Sequence, residues 1–127
     1  MRDEIKVPNF DAWVFPCAFE EVLDGDTVRL LVDVGFDARV SVKLRVADLW
    51  CPEVRGESRE SGLRSKLGAA LWLRSVQESS DLEFPLWVEC YGRRSFSRWV
   101  GSLFSRETGE SFAEYMVVNG FGTEVRR

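Results

Sequence analysis

The sequence contains no histidine. That absence excludes Ser-His and Cys-His nucleophilic catalysis, histidine-ligated metals and the commonest general base. An enzyme built from this chain has to work with carboxylates, arginines or a cation held by oxygen. Cysteine is scarce as well: Cys17, Cys51 and Cys90 form an odd set with no CxxC pair. That spacing argues against a zinc site and reads as free thiols in a reducing compartment. No apolar run approaches the roughly 20 residues of a membrane span. The opening "MRDEIKVPNF" lacks the apolar core of a secretion signal. The expectation is a cytoplasmic protein with no membrane partner. Internal repeats and low-complexity segments are also missing.

What is present is enough for one domain. The 127 residues are 45% hydrophobic and 30% charged, which fills a core and keeps a soluble surface. The net charge of −4 and a pI near 5.0 argue against nonspecific wrapping of a polyanion. Seventeen Lys and Arg still allow a local basic cleft.

Residues 1–12 read as an N-terminal tail and 13–127 as the domain. "WVFPCAFEEVL" predicts a first strand, with Pro16 at an edge or bulge, and "DGDT" predicts a turn. Val28, Leu30, Val32 and Val34 alternate with polar or outward positions, as do Val40, Val42, Leu44 and Val46. Gly35 lies between the two runs, the pattern of a β-hairpin. After Pro52 the period changes. Leu63, Leu67, Ala70 and Leu71 share one helical stripe at spacings of three and four, and Glu57 and Glu60 suit a helix N-terminus. "LEFPLWVECYG" and "SRWVGSLF" predict a second hairpin about a turn at "RRSF". "TGESFAEYMVVNGFG" predicts a short helix with Phe112, Tyr115 and Met116 inward and Gly120 as its stop. Five short strands with a helix between the third and fourth predict a mainly β fold with helices, a five-stranded OB-type Greek-key barrel.

Several residues carry possible chemistry. Asp24 and Asp26 flank Gly25, either as a plain surface turn or as two carboxylates aimed at one hard cation. Arg45 on its strand is either a solvated side chain or part of an active-site edge. Glu53, just past Pro52, is either a loop charge or a general base. Arg98 stacks on Trp99 or a barrel aromatic.

Taken together, "DGDTV", "RVADLWCPEVRGE", "ESGLRSKLGAAL", "SFSRWVGSLF" and "ESFAEYMVVNGFGTEV" occur in an order that resembles the staphylococcal nuclease (thermonuclease) family. The resemblance runs over residues 13–125, and "PEVRG" is most similar to bacteriophage and prophage members. It implies a staphylococcal-nuclease-like barrel and a metal-dependent endonuclease hydrolysing DNA or RNA in the cytoplasm, that of an infected bacterial host included. The implied cofactor is a divalent cation, Ca²⁺ first and Mg²⁺ or Mn²⁺ next. Position by position, it implies Asp26 as a metal carboxylate with Asp24 behind it. Arg45 and Arg98 become the phosphate ligands and Glu53 the base that activates water. "YGR" at Tyr91–Arg93 is a rival match for the second arginine, but Arg98 keeps the following strand in register. The sequence departs from the family at the second metal carboxylate, where it has Trp50. Cys51 follows and can offer only its backbone carbonyl, and Asp48 is a candidate replacement carboxylate. Losing one charged ligand weakens cation binding. The alternative is an impaired nuclease-like OB module that binds nucleic acid or a protein partner, with Trp50 and Trp99 stacking on bases. A third possibility is a structural or inhibitory phage protein that borrows the fold.

Overall fold

The two alternating runs pair as expected, and the register shows why. In the computed structural model, which describes residues 13–93 and 98–125 (at Arg93 the backbone alone), β2 (Thr27–Gly35) and β3 (Ala38–Val46) form an antiparallel ladder from Thr27↔Arg45 to Gly35↔Ala38. Val28, Leu30 and Val32 from β2 and Leu44 and Val46 from β3 turn inward and are buried. Farther out, Val34 and Val40 are exposed, because the tip of the hairpin extends past the barrel. β1 (Trp13–Asp24) pairs β2 on one side and β5 (Leu86–Arg93) on the other. Pro16 lies where β1 has β5 beside it and has not yet met β2, whose pairing starts at Cys17↔Val32. Its missing N–H costs no bond to β2 there. β6 (Trp99–Ser105) runs antiparallel to β5 and parallel to β3. The five strands close in the order β1-β2-β3-β6-β5, which bears out the five-stranded OB-type barrel with helices.

Two short strands, β4 (Leu49–Trp50) and β7 (Thr123–Glu124), make a small antiparallel sheet of their own. α1 (Arg59–Glu78) follows a single 3-10 turn at Gly56–Ser58. α2 (Phe112–Val118) begins at Ser111, whose hydroxyl accepts the Glu114 N–H at 3.2 Å. It ends in a Schellman motif: Gly120 at φ +76 lets the Phe121 N–H reach the Met116 carbonyl at 2.8 Å. Phe112 and Met116 are fully buried and Tyr115 packs against the core beside them. The predicted N-terminal tail and most of the "RRSF" turn lie outside the described residues.

The α1 stripe needs a correction. The helix buries Gly62, Ser65, Gly68, Ala69, Trp72 and Leu73, whereas Leu63, Leu67 and Leu71 are exposed. Small side chains let the backbone come close to its neighbours. A Cβ on Gly62 would lie 2.1 Å from the Glu53 carbonyl oxygen, and one on Gly68 would lie 2.5 Å from the Phe121 ring. Among the described residues, no helix is long and apolar enough to cross a membrane.

Candidate functional site

The site is built outward from the two-residue turn Gly25-Asp26, closed by the Asp24↔Thr27 pair. Gly25 is needed for space. A Cβ there would stand 2.9 Å from both the Cys51 Sγ and the Ser65 Cβ, so turn, loop and α1 meet without room for a side chain. Asp26 is buried, and its backbone carbonyl accepts the Val46 N–H at 2.8 Å. Its Oδ1 accepts the Thr27 hydroxyl at 3.1 Å and its Oδ2 accepts the Cys51 N–H at 2.8 Å. Because Arg45 faces Thr27 across the ladder, its Nη1 comes within 3.4 Å of Asp26 Oδ2. That nitrogen already donates to the carbonyls of Val46 at 2.9 Å and Leu49 at 2.7 Å. Both its protons are then used, and the approach to Asp26 is Coulombic.

Asp24 plays a similar part, with Oδ1 accepting the Val54 N–H at 3.2 Å. The two carboxylates of the turn therefore hold the segment 51–54 from either end. Glu53 is anchored by its backbone, its carbonyl accepting the Ser58 hydroxyl at 2.8 Å while Gly62 packs against it. The Glu53 side chain is 66% exposed, with Oε2 3.7 Å from Arg55 Nε, a loose surface pair. The Cys51 thiol is buried and pushed up to about 12, by desolvation first and then by the Asp26 charge, with Arg45 opposing.

Trp50 is 51% exposed. It borders a hollow of about 150 Å³ with Pro52, Arg64, Phe121 and Thr123. Arg64 lies across the Phe121 ring at 5.0 Å and donates to the Gly120 carbonyl at 3.2 Å, and the Ser65 hydroxyl donates to the Phe121 carbonyl at 2.5 Å. Sequence reasoning missed Arg64, Ser65 and Phe121 as neighbours of Trp50. No local signal gives them, since they come from α1 and the stretch after α2.

The other expected residues lie elsewhere. Asp48 borders a separate hollow with Ser111, Glu114 and Glu124, and its carbonyl accepts the Val125 N–H at 3.2 Å. Trp99 lies 6.3 Å from Trp13 on the lip of an apolar hollow at the barrel mouth, so it is not beside Trp50. Arg98 is half-buried just before β6. Val100, two residues on, pairs with Arg45 in the parallel ladder, so Arg98 immediately precedes the strand that pairs with the one carrying Arg45.

Whether these groups fit a divalent cation can be judged from the donors. A hard cation needs several oxygens, charged ones among them, free to turn toward it. Each oxygen of Asp26 already accepts a hydrogen bond, and Arg45 adds a positive charge beside Oδ2. Trp50 contributes no oxygen from its side chain, Asp48 borders another hollow, and Cys51 can offer only its backbone carbonyl. Among the described residues no three Cys, Asp or Glu side chains converge. As folded, this turn offers a hard cation few charged oxygens, and those of Asp26 and Asp24 already accept backbone N–H groups. No protein-family model matches the chain, and no curated protein matches it.

Proposed function

We propose that the chain is a nuclease-like OB module that binds single-stranded nucleic acid at the hollow beside Trp50 without cutting it. The observation that carries this reading is the exposed indole, standing where the resemblance implies a metal carboxylate. An indole face takes an unpaired base, a contact worth about 1–3 kcal/mol. Arg64 on the same hollow supplies positive charge to the adjoining phosphate. Paired bases hide their faces, so the ligand is single-stranded. The net charge of −4 keeps the contact local and salt-sensitive.

Hydrolysis of DNA or RNA by a metal-dependent endonuclease is the second reading. It is favoured by the exposed Glu53 carboxylate on the segment that Asp26 and Asp24 hold. There Glu53 takes a proton from the attacking water, and Arg45 and Arg98 donate to phosphate oxygens as charge builds.

One experiment separates the two. Short single-stranded DNA and RNA oligonucleotides are titrated in EDTA, then incubated with Ca²⁺, Mg²⁺ or Mn²⁺. The module binds in EDTA, loses that binding in Trp50→Ala and cuts nothing. Cleavage by the wild type that disappears in EDTA and in Glu53→Gln replaces this reading with the second. Cation-dependent cleavage gained by Trp50→Asp marks a nuclease retired at that position. Neither binding nor cleavage by the wild type ends both readings.

A further inference from the structure

Leu63, Leu67 and Leu71 follow one another along α1 and are 38%, 66% and 64% exposed. The opposite face of the helix is taken up by the barrel and its neighbours, so these leucines have no place in the core of this chain. Glu60 and Arg74 are exposed too. At 3.6 residues per turn all five side chains leave the helix within an arc of about 80°. Along the axis the face reads Glu60, Leu63, Leu67, Leu71, Arg74. Leu63 and Leu71 stand four residues either side of Leu67, and Glu60 and Arg74 stand seven either side.

That order is self-complementary when reversed. We propose that this face of α1 is the contact between two copies of the chain, packed antiparallel about a two-fold axis through Leu67. Leu67 then meets its own counterpart, Leu63 meets Leu71, and Glu60 meets Arg74, the last two pairs each occurring twice. A two-fold interface requires this property, one patch that complements itself. The flanking charges agree with the register: Arg59 comes opposite Ser75 and Arg64 opposite Ala70, so like charges do not meet. A lipid surface suits the face less well: Glu60 at one end of the strip is repelled by anionic headgroups, and a membrane gives no reason for charges of opposite sign at equal distances from Leu67. The strip from Glu60 to Arg74 is about 21 Å long, and one helix face of that length falls short of a standard interface of roughly 800 Å² per partner. The dimer is therefore weak and depends on concentration.

The test is the mass in solution by sedimentation equilibrium, from about 5 to about 500 µM, a range that brackets weak association. The wild type passes from monomer toward dimer. Leu67→Glu, which sets two carboxylates on the axis, stays monomeric with an unchanged circular dichroism spectrum and melting temperature. Glu60→Arg and Arg74→Glu each break both ion pairs and weaken the dimer about tenfold, and the double swap Glu60→Arg/Arg74→Glu restores it. A wild type that is monomeric throughout overturns the proposal. So does a dimer that survives Leu67→Glu, or a double swap no better than the singles. Binding to anionic vesicles by a chain that stays monomeric overturns it in favour of a membrane surface. None of these outcomes depends on nucleic acid, so this proposal and the binding reading stand or fall separately.

Discussion

Phe36 is the residue most at odds with its own conformation. It and Asp37 form the two-residue loop between Gly35 and Ala38, with φ of 56° and 62°. Both central positions of such a loop need left-handed backbone, which matches the strand twist and favours Asn-Gly or Asp-Gly. A bulky L-residue there costs about 1–2 kcal/mol, and Phe36 recovers nothing by burial because it is fully exposed. The double replacement Phe36→Asn/Asp37→Gly therefore raises stability by about 1 kcal/mol. The check is the urea midpoint at unchanged slope, and a midpoint that falls would mean that the tip makes contacts in the folded state. The sequence showed a hairpin here from its alternation and Gly35. It did not show a strained tip, because Phe36-Asp37 is not one of the dipeptides that such a loop favours. Asp24, Asp26 and Arg45 were legible in the same partial sense, and of Glu53 only the backbone is drawn to them. Their neighbourhood followed from the order of motifs, whereas the use of Arg45 Nη1 on two carbonyls depends on where β3 hands over to β4.

At the scale of the element, α1 is held by what its side chains leave out. Gly62 and Gly68 both sit on the buried face, yet they differ in what a methyl group would strike. At Gly62 the obstacle is the Glu53 backbone, with the carbonyl oxygen at 2.1 Å and the Val54 nitrogen at 2.8 Å, and at Gly68 it is the Phe121 ring. The Phe121 side chain can yield only by moving as a whole, since its Cγ is itself 2.7 Å from the added Cβ, whereas the Glu53 carbonyl is held by Ser58 and the next amide by Asp24. Glycine to alanine inside a helix gains up to about 1 kcal/mol from propensity, and overpacking a rigid contact costs about 1–3 kcal/mol. Gly62→Ala is therefore net destabilising by about 1–2 kcal/mol, and Gly68→Ala costs less because a side chain, not backbone, has to move. Parallel urea titrations decide it, and equal losses at the two positions would refute the rigid-loop explanation. The same small residues explain why the helix was legible and its orientation was not. Hydrophobic periodicity ranks Leu63, Leu67 and Leu71 above Gly, Ser and Ala, while close backbone approach reverses that ranking. β4 and β7, two residues each, are too short for any period to reveal.

For the whole molecule, Cys51 is where the pieces meet. A Cβ on Gly25 would lie 2.9 Å from its Sγ and one on Gly122 would lie 2.8 Å from it, so the thiol is wedged between the β1–β2 turn and the approach to β7. Its amide holds Asp26. Cys17 on β1 and Cys90 on β5 are buried in the barrel, and burial raises both of their thiols as well. The consequence for stability has a definite sign. Each thiol ionises less readily in the folded chain than in the unfolded one, where its value is about 8.5. The folded state then holds more protons than the unfolded state once the pH exceeds that value, so stability falls as pH rises. Their contribution is complete below about pH 8.5 and, for Cys51, is lost progressively toward about 12. Urea midpoints should therefore stay level with respect to these thiols from neutral pH up to about 8.5 and decline above it. Cys51→Ala should start lower, having lost a packed atom, and decline less steeply. The slope is the informative quantity, since a cavity shifts the curve at every pH by the same amount and an ionisation does not. A wild type and a Cys51→Ala variant with parallel curves above pH 9 would mean that the thiol is not sequestered, and that the junction of turn, loop and helix opens in solution.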